Sequence, residues 1–104
     1  MILPLGLFAQ PSGELNNEGI QKEATALARS LVEPLQLNEL EYIKVRELMA
    51  QRIMAINDIA DYYQYDADLM KKKTEAALIA YENRLKFMLN STQLENYLSL
   101  QNGM

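Results

Sequence analysis

The stretch LNELEYIKVRELMAQRIMAINDIADYYQYDADLMKKKTEAALIAYENRLKFMLNSTQLENYLSL, Leu37 to Leu100, contains neither glycine nor proline. Alanine, leucine, methionine, glutamate, lysine and glutamine dominate it, and these residues lose little side-chain freedom in a helix. No breaker interrupts it, so its subdivision must be read from caps. Asn38 is a good N-cap, and Glu41, three residues on, can reach back to the cap's backbone N–H. Leu37 before the cap and Tyr42 after it form a hydrophobic staple. Leu40, Ile43, Leu48, Ile53, Ile56, Ile59 and Tyr63 then recur at helical spacing and predict a helix of roughly 26 residues, about 39 Å long.

The β-formers Tyr62, Tyr63 and Tyr65, followed by the cap residue Asp66, place a chain reversal there. Asp66 caps a third helix with Asp68 in its first turn, where the helix dipole favours negative charge. Met70, Thr74, Ala77, Tyr81, Leu85 and Met88 make its apolar stripe. Asp68–Lys72, Lys71–Glu75 and Glu82–Lys86 are i,i+4 pairs on its outer face. A second capping box follows at Asn90 and Gln93, stapled by Leu89 and Leu94. It opens a short final helix that turns Leu94, Tyr97 and Leu98 inward and frays at Gln101–Gly103. The expected fold is all-α: a long antiparallel helical hairpin with a shorter N-terminal helix and a short C-terminal helix.

Upstream, Ile20, Ala24, Leu27, Ala28 and Leu31 mark a first helix from about Asn17 to Glu33. Asn16 caps it in this reading, with Leu15 stapled to Ile20, and Pro34 ends it by disfavouring helical geometry at Glu33. Residues 17–101 thus form a single helical domain, preceded by an apolar segment, 1–16. Its first ten residues, MILPLGLFAQ, are uncharged and far shorter than the roughly 20 apolar residues that span a bilayer. They resemble the end of a secretory signal peptide, with Ala9 before the cleavage point, although a basic n-region is missing and Leu7 replaces a small residue. The expected location is periplasmic or secreted, or cytoplasmic if Met1 is the true start. An apolar tail docked on the helices is the other reading.

The 104 residues carry a formal charge of −4, which argues against a nucleic-acid partner. The run Lys71–Lys73 has acidic neighbours at helical spacing and reads as a solvated face. Cysteine and histidine are absent, which removes thiol nucleophiles, His-based dyads and the usual zinc ligands. No cofactor or metal motif is present, and carboxylates alone converge on no pocket in this spacing. The expected class is therefore non-enzymatic.

The two caps are near copies: Leu37-Asn38-Glu39-Leu40-Glu41 and Leu89-Asn90-Ser91-Thr92-Gln93. Together they resemble the paired LTxxQ motif of the Spy/CpxP-like family of small exported envelope proteins, set on either side of a long helical hairpin. Ala28 to Leu37 is similar to the lead-in helix of such proteins. Asparagine stands where the family has threonine, and Glu41 where it has glutamine. Both substitutions keep the capping chemistry, which any helix start can also carry. The resemblance implies a thin, often dimeric cradle that binds unfolded clients or an envelope partner protein without ATP. Histidine-dependent metal binding does not carry over.

Met49, Ile53 and Met54 widen the apolar band of the second helix, which suits homodimerisation or a protein partner on a soft surface, or else an ordinary core. Tyr62, Tyr63 and Tyr65 lie beside Asp58, Asp61, Asp66 and Asp68 at the hairpin tip. They read as an aromatic contact patch or weak cation site, or as tip packing with solvated aspartates. Arg29, Arg46, Arg52 and Arg84 border the apolar stripes, where salt bridges to nearby carboxylates are the expected pairing.

Overall fold

A computed structural model describes residues 17–103 as four α-helices, with no strand among the described residues. They are α1 (Glu18–Leu35), α2 (Glu39–Tyr62), α3 (Ala67–Met88) and α4 (Ser91–Asn102). α2 packs against both α1 and α3, and α1 also packs against α4. No helix among the described residues is long and apolar enough to cross a membrane. The signal-like segment and the proposed Leu15 staple lie outside the described residues.

Each helix starts on a side chain that accepts from the backbone three residues on: Asn17 from Ile20, Asn38 from Glu41, Asp66 from Leu69 and Asn90 from Gln93. The first cap is therefore Asn17, one residue later than the sequence suggests. α1 also ends later than expected. Pro34 lies inside it, and the helix continues to Leu35. At the closing turn Gln36 adopts the left-handed conformation at φ 52°. Gln36 N–H donates to Glu33 O, and Leu37 N–H to Val32 O, the paired bonds of a Schellman motif. Leu35 and Leu37 are both buried, so core packing holds the turn that the sequence left unmarked.

The core lies where α1, the first half of α2 and the end of α3 meet. Ala24, Ala28, Leu35, Leu37, Tyr42, Val45, Leu48, Met49, Ala50 and Leu85 form it. Three residues assigned inward by periodicity point out: Leu27, Leu40 and Leu98 are exposed. Leu40 follows the cap by two residues and is exposed, while Tyr42 and Val45 take the core positions. The third-helix stripe is sound, since each of its members is at least half-buried.

Candidate functional site

The two capping boxes close as the sequence predicts, and then they meet. Asn38 N–H donates to Glu41 Oε1 at 2.9 Å, and Asn90 N–H donates to Gln93 Oε1 at 3.0 Å. Gln93 is buried, and its Nε2 donates to the same Glu41 Oε1 at 3.2 Å. The bond joins the start of α4 to the start of α2 across 52 residues of chain. It also gives the two positions different work. A glutamine keeps a donor free after closing its own box, whereas a glutamate offers only acceptors.

A second polar cluster holds the far part of α4 to α3. Tyr97 O–H donates to Glu82 Oε1 at 2.8 Å, and Gln101 Nε2 donates to Glu82 Oε2 at 2.8 Å. Lys86 Nζ lies 3.9 Å from Glu82 Oε2, the one ion pair among the described residues. The expected Asp68–Lys72 and Lys71–Glu75 pairs do not close. Burial pushes the Tyr97 phenol up to about 12, with the Glu82 hydrogen bond and charge adding to it and Arg52 acting against it.

The arginines also depart from expectation. Arg29 and Arg46 stand 5.1 and 5.5 Å from the centroid of the Tyr42 ring, and Arg84 stands 5.1 Å from that of Tyr81. Arg52 Nη1 reaches Met49 Sδ at 3.8 Å. Ring faces and sulfur, not carboxylates, receive these cations. The Tyr42 hydroxyl is buried with no hydrogen-bond partner among the described residues.

The proposed binding residues divide into separate places. Met49 is part of the core, Ile53 packs against it, and Met54 is half-buried. Much of the wide apolar band on α2 is thus covered by the chain's own helices. Between α2 and α3, Tyr62 and Tyr65 are 81% and 95% exposed, and Tyr63 is half-buried. The Tyr62 and Tyr63 rings meet edge to face, 4.9 Å apart and 83° between planes. The tip aspartates do not converge, since no three acidic side chains among the described residues could hold a metal ion.

The surface that sequence reasoning missed lies between α2 and α3. A groove of about 530 Å³ is lined by Lys44, Glu47, Leu48, Gln51, Asn83, Arg84, Phe87 and Met88. It adjoins a cleft that shares Lys44, Phe87 and Met88 and extends to Leu40 and the Asn38 box. Phe87 and Leu40 are 92% and 60% exposed. Phe87 was detectable as a remainder: once Met70 to Met88 are assigned to the stripe, Ile79 and Phe87 are left on the opposite side of the helix. Compared with protein-family models, with curated proteins and with solved structures, the chain matches none.

Proposed function

We propose that this is a non-enzymatic protein-binding helical protein of the bacterial envelope, either chaperone-like or an inhibitor-like stress adaptor. In this reading α2 and α3 form the long antiparallel hairpin. Lys44 near the start of α2 and Met88 at the end of α3 line one groove, which supports that arrangement. The carrying observation is the groove with Phe87 and Leu40 exposed at its margin, since large apolar side chains held in water beside an open cleft suit a protein ligand. The two capping boxes and the signal-like first residues support kinship with the Spy/CpxP-like proteins and a periplasmic or secreted location.

The test is suppression of aggregation of a chemically denatured client at near-stoichiometric ratio. The native chain suppresses aggregation, and a Leu40→Ser, Phe87→Ser double variant of unchanged helicity loses most of that effect. A native chain without suppression overturns the reading. The alternative is a structural or assembly protein, a constitutive homodimer or the subunit of one dedicated partner. Phe87 standing beside the groove favours it, because a two-fold contact needs a projection and a recess on the same patch. Analytical ultracentrifugation separates the two: a dimer that persists on dilution and closes the groove supports assembly.

A further inference from the structure

We infer that the cleft at the turn between α2 and α3 is a docking site for basic side chains, lysine or arginine, on an extended polypeptide segment. The inference rests on the protein-binding reading and names the chemistry of the partner at one surface. Asp58, Ile59, Asp61, Tyr62 and Tyr63 line a cleft of about 520 Å³. The two rings stand nearly perpendicular, so they form a corner. Aromatic faces attract cations. Tyr63 already does so within the chain, with Lys73 Nζ 5.9 Å from its centroid.

The carboxylates supply the second part of the argument. Asp58 and Asp61 make no ion pair and no side-chain hydrogen bond among the described residues, and Gln64 Nε2 goes to the Asp61 carbonyl oxygen instead. Both stand near the C-terminal end of α2, which has no basic residue in its last turn. Negative charge is disfavoured at that end by the helix dipole. An incoming cation relieves this arrangement, whereas an anionic or purely apolar segment leaves it in place. Three- and four-residue spacing sets Asp58 beside Asp61 and Tyr62 on one helix face, so one long basic side chain can meet carboxylate and ring together.

The probe is fluorescently labelled octalysine, acetylated and amidated, added to the full chain and followed by anisotropy, with amide NMR shifts to locate it. Saturable binding with shifts confined to residues 58–66 is expected, and octaglutamate does not bind. Asp58→Asn with Asp61→Asn weakens binding about tenfold, and Tyr62→Ala weakens it roughly two- to fivefold. The control pair Glu23→Gln with Glu33→Gln changes net charge equally and leaves binding within about twofold. Equal loss in the control pair, shifts scattered along the chain, or no effect of Tyr62→Ala overturns the site. All five substituted positions are exposed, and unchanged helicity of each variant shows that the fold is intact. Localised octalysine binding without aggregation suppression keeps this site and removes the client-binding reading. Suppression that persists without octalysine binding does the reverse.

Discussion

The two halves of α2 carry similar apolar content and differ in burial. Tyr42, Val45, Leu48, Met49 and Ala50 are buried, whereas no residue from Gln51 to Tyr62 is. Ile53, Met54, Ile56 and Ile59 in the second half are as apolar as their upstream counterparts, yet remain half-buried. The cause is coverage. α1 turns back at Gln36 and lies on the first half, the end of α3 brings Leu85 to the same place, and the box contact ties α4 there. The end with the boxes is a packed core, and the second half of α2 has no fully buried residue. A helical apolar stripe thus specifies what can be buried, while its neighbours decide what is.

The largest test of that contrast is truncation at matched positions. Leu48→Ala is expected to cost about 2–5 kcal/mol, and Ile56→Ala about 1 kcal/mol or less, in denaturant unfolding. Equal costs would show that something covers the second half of α2 in solution.

The box contact comes next. Gln93→Glu sets two carboxylates against each other at a buried position and is expected to cost about 2 kcal/mol at neutral pH. The cost should shrink as acid protonates them. Glu41→Gln retains an acceptor and should cost less than about 1 kcal/mol. Thermal unfolding against pH checks both, and equivalence of the two variants would show that the boxes close independently.

The Tyr97 cluster gives a smaller, pH-defined effect. Its phenol ionises near 10 in the unfolded chain and at about 12 in the folded one, so the unfolded state releases its proton first as pH rises. The stabilisation is whole below pH 10 and is lost between pH 10 and 12. Stability measured across that window should fall less in Tyr97→Phe than in the native chain, and absorbance titration should lose its latest-ionising tyrosine.

The smallest effect concerns the turn that directs α1 back. Gln36 holds a left-handed conformation without being glycine, so Gln36→Gly should stabilise by up to about 1 kcal/mol. A loss of stability there would mean that the Gln36 side chain contributes a contact that outweighs its backbone strain.

Much of the architecture was legible because helix starts are local. Asn38, Asp66 and Asn90 cap within three residues of themselves, and their sequence neighbours are enough to identify them. The end of α1 was not legible: Pro34 signals a stop, but buried Leu35 and Leu37 carry the helix past it. The proposed binding residues fared unevenly for the same reason. Tyr62, Tyr63 and Tyr65 lie where local sequence marks the break between α2 and α3, and Tyr62 and Tyr65 are exposed while Tyr63 is half-buried. Met49 lies in a band whose covering depends on α1, and it belongs to the core. Phe87 lines a groove that exists only because α2 packs beside α3.

Local sequence suffices to make the described chain helical and to place the start of three of its four helices, because backbone propensity and capping act over one turn. Only packing between helices settles that the two boxes share Glu41 Oε1, that Arg29 and Arg46 gather at Tyr42, and that the apolar residues of the second half of α2 are no more than half-buried. Those outcomes depend on which helix faces which across tens of residues, and no local pattern encodes that choice.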